Sequence, residues 1–533
     1  MLQPASSTLS RSPAAWLDRR LAQAAAVDHA VAAAVGGAGL LLYILTLAPT
    51  VIWGDDATLQ LAAVQGRLQA SAGSHPAWVL LAHLFTKLPV GDLAYRVNLA
   101  SAFAAALTLA LLYLVCRSVD ASRFASLAAT AAFAVSHTFW AHAVRAEVYT
   151  LTLATLALVI WAALQWRRRG QRRFLVLTAA SWGLAFSTHV LALLCLPALG
   201  WLLLARRERL RGRDWALLIG SALLALAPYG LVLWADQRRM GGSLLALARW
   251  ALFTFDGYDF SGQMAAFSRA TFFADAAQWA GFLGYQFGPG LLLAGLGLAY
   301  AWRRWPRDLA IFVGLLYALP ALFAFSYRVG DRYVFYLPSY LPVAVWLAAG
   351  IDGWQQRRAR AGQASGYGYG WRLALLALLT LAPVGVYRLA PELVSRLDTQ
   401  RQDVRYVPGP NSRYFVLWPP KTNYYDARAF AESALNDAPP DALLLADPML
   451  ASPMLFLQQV ERVRPDVRVR FCCWDIEQAL AAGAGRPIAL ADNAASVYPI
   501  DRLQQEYDIA PHGVIYLLTP VQQQALPRPG AGK

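Results

Sequence analysis

Apolar runs of about 20 residues recur along this chain and decide what it can fold into. Such a run is long enough to cross the hydrocarbon core of a bilayer as an α-helix. The 533 residues are 58% hydrophobic and only 15% charged, which excludes an ordinary soluble fold. The sequence predicts an all-α polytopic membrane protein with about eleven transmembrane helices. The runs lie at residues 30–53, 97–116, 124–142, 147–166, 174–188, 189–205, 215–235, 279–302, 309–326, 332–350 and 372–391.

The arginines are grouped in the segments between these runs. A net charge of +15 would suggest a nucleic-acid partner in a soluble protein. Here the cations follow alternate runs, as the positive-inside rule requires of cytoplasmic loops. We therefore predict a cytoplasmic N-terminus, no nucleic-acid partner, and an outside location for the first loop and for everything after the last run. The clusters are Arg117 and Arg123; Arg167, Arg168, Arg169, Arg172 and Arg173; Arg206, Arg207, Arg209, Arg211 and Arg213; Arg303, Arg304 and Arg307; and Arg357, Arg358 and Arg360.

Composition changes after the last apolar run. Strand-like stretches at 441–446, 467–471 and 513–518 alternate with helix-like ones such as 454–460, which predicts a small α/β domain outside the membrane. We divide the chain into a cytoplasmic segment (1–28), a transmembrane domain (29–391), a periplasmic α/β domain (392–525) and a disordered tail (526–533).

Two adjacent carboxylates, Asp55 and Asp56, directly follow the first apolar run. Charged residues at such a position are costly and usually functional, so the pair suggests an acid/base or metal-binding site at the membrane boundary. The alternative is that Asp55 caps a helix N-terminus, because aspartate is a preferred capping residue. The residues alone leave both interpretations open.

Other outer segments carry polar side chains that the same site could use. His75 lies in the loop that holds Asp55, and His189 follows another apolar run. Arg145, Glu147 and Tyr149 lie between the third and fourth runs, where a salt bridge that closes a helical hairpin is an equally good explanation.

A fourth outer segment connects the ninth and tenth runs. Arg328 and Arg332 in this segment could hold a phosphate by charge-assisted hydrogen bonds. Asp331 and Tyr333 accompany them. The alternative is an interfacial anchor in which the tyrosines form part of an aromatic belt.

An ordered set of short motifs runs from about residue 40 to residue 475. They are Leu47-Ala48-Pro49-Thr50 with Gly54-Asp55, Ala82-His83-Leu84-Phe85, Tyr95-Arg96-Val97-Asn98-Leu99, Ala146-Glu147-Val148-Tyr149, Ser187-Thr188-His189, Asp331-Arg332-Tyr333 and Val463-Arg464-Pro465-Asp466. With this set the chain resembles the bacterial members of domain-of-unknown-function family 2723, which is similar to animal protein O-mannosyltransferases and belongs to the glycosyltransferase-C superfamily. The chain departs from the family pattern at Thr58, where a Glu is usual, and lacks the His-Pro-Pro-Gly segment near Ser74-His75-Pro76.

The resemblance implies an inverting glycosyltransferase of the bacterial inner membrane. A polyprenyl-phosphate-linked sugar would be transferred on the periplasmic face to a hydroxyl of protein Ser/Thr or of an envelope glycan or lipid. Asp55 would be the general base, with Asp56 beside it.

Arg328, Arg332 and Arg145 would bind the donor phosphate. His75, Glu147, Tyr149, His189, Asp331 and Tyr333 would contact substrate. The resemblance leaves open whether Asp55 and Asp56 hold a divalent metal, Mg or Mn. A transporter or a non-catalytic envelope-assembly protein is the alternative function.

Overall fold

The computed structural model describes residues 13–255, 258–264, 266, 268–360, 369–397, 407–472, 476–481, 483 and 485–521. The predicted tail at 526–533 and residues 1–12 lie outside this range. Helices dominate the N-terminal three quarters. They are α1 (Pro13–Leu45), α2 (Asp55–Gln65), α3 (Pro76–Phe85), α4 (Leu93–Ser118), α5 (Arg123–Ala134), α6 (His137–Ala143), α7 (Tyr149–Arg169), α8 (Arg172–Thr188), α9 (Leu196–Ala205), α10 (Gly212–Met240), α11 (Leu244–Phe253), α12 (Phe272–Phe287), α13 (Gly290–Arg304), α14 (Arg307–Ser326), α15 (Leu337–Arg360) and α16 (Gly370–Leu397).

Seven helices in the described residues are long and apolar enough to cross a membrane, or up to nine if each of two bent pairs is one span. Apart from residues 46–53 and short breaks in other runs, the predicted apolar runs lie on helical structure, so the polytopic helical class is confirmed. The number of spans is below eleven because two runs bend and because the runs at 174–188 and 189–205 form shorter helical segments, Arg172–Thr188 and Val190–Ala205. The run at 124–142 bends by 68° between α5 and α6, and the run at 279–302 bends by 104° between α12 and α13.

The sharper bend has a local cause. Gly288 ends α12 with a backbone φ of 49°, a conformation that glycine adopts without the steric cost that a side chain adds. Pro289 then precedes the first residue of α13. The run at 189–205 is also interrupted, because it forms a short 3-10 helix (Val190–Cys195) before α9 begins.

Small residues let the helices approach each other closely. A Cβ atom on Gly297 of α13 would lie 1.7 Å from the carbonyl oxygen of Trp346 on α15, and one on Gly350 would lie 1.9 Å from that of Leu293. The two helices therefore meet backbone to backbone, as is typical of packing between transmembrane helices.

The C-terminal residues form a small mixed α/β unit, as predicted. The predicted strands at 441–446, 467–471 and 513–518 correspond to β3, β4 and β7. The five-stranded sheet has the order β4-β3-β5-β7-β6, with β3 parallel to β4 and β5, and with β7 antiparallel to β5 and β6. Its elements are α17 (Ser412–Leu417), α18 (Asp426–Asp437), β3 (Leu443–Ala446), α19 (Pro448–Phe456), β4 (Arg468–Phe471), α20 (Ile476–Ala481), β5 (Ile488–Leu490), α21 (Ile500–Glu506), β6 (Tyr507–His512) and β7 (Ile515–Pro520); a two-residue hairpin in the helical part supplies β1 (Thr254–Phe255) and β2 (Tyr258–Asp259).

This unit shares a hydrophobic core with the loop that follows α1. Val51, Ile52 and Trp53 of that loop are buried together with Leu450 and Met454 of α19. The loop that carries the adjacent carboxylates is therefore enclosed between the helical part and the α/β unit.

Candidate active site

A cavity of about 500 Å³ lies where the start of α2, the α2–α3 link, the α6–α7 link, the end of α8 and the α14–α15 link meet. The described segment between α10 and α12 closes its apolar side with Leu252, Phe253, Phe260 and Met264. Seven of the residues predicted from the sequence lie in its wall. They are Asp55, His75, Glu147, Tyr149, His189, Arg328 and Asp331.

The two adjacent aspartates have different surroundings. Asp55 is exposed and lines the cavity, whereas Asp56 is only 3% exposed and lies beneath it. The N-cap of α2 is Gly54, with φ 58°, and no side chain caps this helix. Asp55 is therefore the first residue of the helix rather than its cap, and the capping interpretation is not supported. Both carboxylates lie in the first turn, where the helix dipole favours negative charge.

Arg145 is the centre of a buried polar cluster below the cavity. Its guanidinium lies 3.4 Å from Asp56 Oδ2 and 3.5 Å from Glu147 Oε1. It also lies 3.4 Å from Nδ1 of His142 and forms a hydrogen bond with Tyr333. Arg145 thus joins α2, the α6–α7 link and the segment before α15, and among the described residues it is not part of the cavity wall.

Burial decides the charge balance of this cluster. It raises the pKa of Asp56 and that of Glu147, while Arg145 opposes the increase in both. Burial also disfavours the charged form of Arg145, but Asp56 and Glu147 outweigh it, so its pKa is raised and it stays protonated. Arg145 is therefore the main charge that opposes protonation of both carboxylates.

Two histidines stack in the cavity wall. The rings of His75 and His189 are 4.8 Å apart at an interplanar angle of 29°. Nδ1 of His75 lies 2.9 Å from the carbonyl oxygen of Thr188 and must donate to it, whereas Nδ1 of His189 accepts from the backbone N–H of Leu191 at 3.1 Å. Burial lowers the pKa of His75 to about 4, and burial with the neighbouring His75 lowers that of His189. Both rings are neutral, with Nε2 of His75 an acceptor and Nε2 of His189 a donor.

The two outer-loop arginines share one carboxylate that sequence reasoning missed. Nη2 of Arg328 lies 2.8 Å from Asp275 Oδ2, and Nη2 of Arg332 lies 2.8 Å from Asp275 Oδ1. Two cations on one anion leave a net positive charge. Arg328 lines the cavity with its side chain 33% exposed, whereas Arg332 is 12% exposed and, among the described residues, lies outside the wall. Asp275 follows Phe272 and Phe273 at the start of α12, with no polar neighbour to mark it.

Lys421 was also missed. It is 2% exposed, and its ammonium donates to the carbonyl oxygens of Pro419 at 3.1 Å, Tyr414 at 3.4 Å and Trp418. Burial lowers the pKa of Lys421, and Arg145 lowers it further. The guanidinium of Arg145 lies 5.4 Å from the ring centre of Phe415 in α17, so the C-terminal unit lies next to the buried cluster. Nothing in the local sequence Trp418-Pro419-Pro420 indicates this role.

The carboxylates do not gather into a metal site. Asp56 points to Arg145 rather than toward Asp55, and within the described ranges no three or more His, Cys, Asp or Glu side chains are grouped to hold a metal ion. Asp55 and Asp56 alone do not form a complete ligand set for the Mg or Mn that the sequence left open.

Comparison with known proteins shows which domain family and which fold the chain is similar to. Residues 61–212 match the family model described as the protein O-mannosyl-transferase TMEM260 N-terminal domain. No curated protein matches the chain. The fold is similar to that of ArnT from Cupriavidus metallidurans bound to undecaprenyl phosphate, with TM-score 0.53, 12% identity, and coverage of 92% of this chain and 98% of ArnT.

The apo form of ArnT from the same organism gives a TM-score of 0.54 at 13% identity, covering 90% of this chain and 96% of ArnT. These identities show a shared fold and nothing finer. Together with the domain match, they support the interpretation reached from the sequence, a membrane glycosyltransferase.

Proposed function

We propose that the protein transfers a sugar from a polyprenyl-phosphate-linked donor to an acceptor hydroxyl, with Asp55 as the general base. The observation that carries this proposal is the cavity, because an exposed carboxylate on one wall faces a site that also holds an arginine and a broad apolar side. ArnT, which has the same fold, binds undecaprenyl phosphate. A lipid-linked donor needs such a combination of apolar and cationic surface.

The proposed chemistry gives Asp55 the role of general base. An acceptor hydroxyl is a poor nucleophile, so Asp55 takes its proton as the oxygen attacks the anomeric carbon. The bond from that carbon to the phosphate oxygen breaks, and the lipid phosphate leaves with the electron pair. Direct displacement inverts the anomeric centre.

Arg328 is the cation best placed to stabilise the negative charge on the leaving phosphate. Arg332 supports it through Asp275, which both arginines share, so the structure favours a positioning role for Arg332 and a contact role for Arg328. Arg145 is occupied by Asp56 and Glu147. We therefore assign it to the architecture of the site rather than to phosphate.

We place the cavity on the periplasmic face of the bacterial inner membrane. Arginines gather at the opposite end of the helical part: Arg123 pairs with Asp28, Arg168 with Asp120, and Arg206 with Asp308. The positive-inside rule assigns that end to the cytoplasm. The acceptor hydroxyl would then belong to a periplasmic protein Ser/Thr or to an envelope glycan or lipid.

The test is Asp55→Asn in purified protein supplied with polyprenyl-phosphate sugars. We expect turnover to fall by about 10²–10⁴-fold, with donor binding and folding retained, because asparagine keeps the size but not the basicity of the side chain. Asp120→Asn is the matched control, since Asp120 is 82% exposed at the other end of the bundle and its φ of 64° suits asparagine.

A transporter or a non-catalytic assembly protein would show no turnover to lose. Near-normal transfer by Asp55→Asn would remove Asp55 as the base. In that case Asp331, which is also exposed in the cavity wall, is the next residue to test.

A further inference from the structure

We propose that the C-terminal α/β unit positions the base: its helix α19 and the segment before α18 hold the loop 46–54 and the first turn of α2, which presents Asp55 to the cavity. This inference rests on the proposed function, since it assumes that Asp55 is the base. It assigns Tyr424 and Ser452 as positioning residues.

The loop after α1 has an irregular backbone and depends on partners outside itself. The helical part holds it at Ala48, whose N–H donates to the carbonyl of Val144 at 2.9 Å and whose carbonyl accepts from Asn98 at 3.0 Å. The helical part also holds Thr50, which donates to Asp92 Oδ2 at 2.6 Å, and Asp56, which lies 3.4 Å from Arg145. Between these two points, at Trp53 and Gly54, the hydrogen-bond partners lie in the C-terminal unit. Loss of those partners would leave the backbone just before Asp55 less constrained and its side chain poorly aimed.

The C-terminal unit first engages the end of α1. The backbone N–H of Lys421 donates to the carbonyl of Thr46 at 2.9 Å, and the hydroxyl of Thr422 donates to the carbonyl of Leu45 at 2.9 Å. The last carbonyls of a helix have no partner within it, so these two bonds satisfy groups that would otherwise need another donor. The exit direction of the chain from α1 is therefore fixed by residues almost 400 positions away.

The next contacts flank Asp55 on both sides. The indole N–H of Trp53, a fully buried side chain, donates to the hydroxyl of Tyr424 at 2.8 Å. The N–H of Gly54 donates to the carbonyl of Met449 at 3.1 Å. Three residues after Asp55, Thr58 donates to the hydroxyl of Ser452 at 3.0 Å, because Ser452 already donates to Pro448 at 2.7 Å.

Gly54 shows how closely α19 approaches the loop. Its φ is 58°, and a Cβ at this position would lie 3.0 Å from the sulfur of Met449. Only glycine satisfies both the left-handed backbone and the short approach without strain. The position of Asp55 along the cavity wall is therefore set by the surface of α19.

Tyr424→Phe tests the inference, with Tyr498→Phe as the matched control. Both tyrosines are buried in the C-terminal unit, and each loses one hydroxyl; that of Tyr498 donates to Leu445, away from the loop. Two quantities are measured on the full-length protein: amide hydrogen exchange in peptides covering residues 46–58, and kcat and KM for the lipid-linked donor.

We expect Tyr424→Phe to speed exchange in those peptides by about tenfold or more and to lower kcat by about 10–100-fold, with donor KM unchanged. Tyr498→Phe should change neither. Equal behaviour of the two variants, or faster exchange with normal kcat, overturns the inference.

A second variant and a wild-type control cover the cases in which Tyr424→Phe does not fold or the protein transfers no sugar. If Tyr424→Phe does not fold, Ser452→Ala replaces it, since it removes the acceptor for Thr58 on the cavity side. If the wild-type protein transfers no sugar, the proposed function fails, and the exchange measurements alone decide whether the C-terminal unit holds the loop.

Discussion

The buried position of Arg145 makes Arg145→Gln the most informative change outside the cavity wall. Its guanidinium lies 3.4 Å from Asp56 and 3.5 Å from Glu147, and its side chain is 9% exposed. At an effective dielectric constant of about 20, each separation corresponds to about 5 kcal/mol of attraction. Much of this attraction offsets the cost of removing the charges from water. Loss of one partner of a buried pair lowers the free energy of unfolding by about 3–5 kcal/mol, and we expect a loss of this size for Arg145→Gln.

The loss should depend on pH in a defined direction. Burial already raises the pKa of Asp56 and Glu147 above their values in the unfolded chain, and removal of Arg145 raises both further. A raised folded-state pKa contributes stability below the unfolded pKa, and that contribution is lost as the pH rises through the folded pKa. The free energy of unfolding of Arg145→Gln should therefore be closer to that of the wild type at pH 5 than at pH 8.

Unfolding in detergent, followed across this pH range, measures the effect. The matched control is Arg167→Gln: Arg167 is similarly buried and binds Asp308 at 2.7 Å, but Asp308 keeps Arg206 at 2.8 Å. Arg167→Gln should lower the free energy of unfolding by less than Arg145→Gln, because Asp308 keeps Arg206 as a partner. A deficit under about 1 kcal/mol for Arg145→Gln, or one that does not grow with pH, would refute the assigned charge balance.

Two other substitutions test the phosphate site and the helix packing. Arg328→Gln should raise the donor Kd by tenfold or more, since loss of one partner in a desolvated charge pair costs about 2–5 kcal/mol, while Arg332→Gln should have a smaller effect in the same titration because its side chain lies outside the wall. Gly297→Ala should destabilise the protein by about 1–3 kcal/mol, since its Cβ would overlap the carbonyl of Trp346; Gly295→Ala on the same helix meets nothing within 4 Å and should unfold like wild type.

Local hydrophobicity made the helical architecture predictable. Most of each apolar run became helix because a bilayer leaves few other ways to satisfy backbone hydrogen bonds. The 104° bend lies at Gly288-Pro289-Gly290, a local turn signal. The continuous hydrophobicity of residues 279–302 outweighed that signal in the prediction of a single span.

The candidate site was predictable where polar residues stand out against apolar sequence. Asp55, His75 and His189 were recognised in this way, and all three line one cavity. Asp275 and Lys421 were not, because their importance comes from partners 53 or more positions away: Asp275 from Arg328, and Lys421 from the end of α1. Sequence patterns with helical or strand periodicity contain no information on such pairs.

The position of Arg332 outside the cavity wall also depends on tertiary structure that the sequence does not reveal. Arg328 and Arg332 lie in one loop and look equivalent in the sequence. Both arginines bind Asp275, but Arg328 lies in irregular backbone and also lines the cavity, whereas Arg332 is the first residue of the short helix Arg332–Tyr336 and lies outside the wall formed by the described residues. A four-residue spacing therefore places two like cations at different depths.

The cavity is assembled from two parts of the chain with different relationships to known proteins. The matched domain at 61–212 contributes His75, Glu147, Tyr149 and His189. Asp55 lies just before that domain, and the described segments at 252–264 and 323–335 add the apolar side and Arg328. In the proposed mechanism, the base and the phosphate ligand thus come from outside the matched domain. Because a substrate is selected by the walls that contact it, the domain match alone does not carry over the sugar or the acceptor, and the segments at 252–264 and 323–335 are where differences in donor preference should arise.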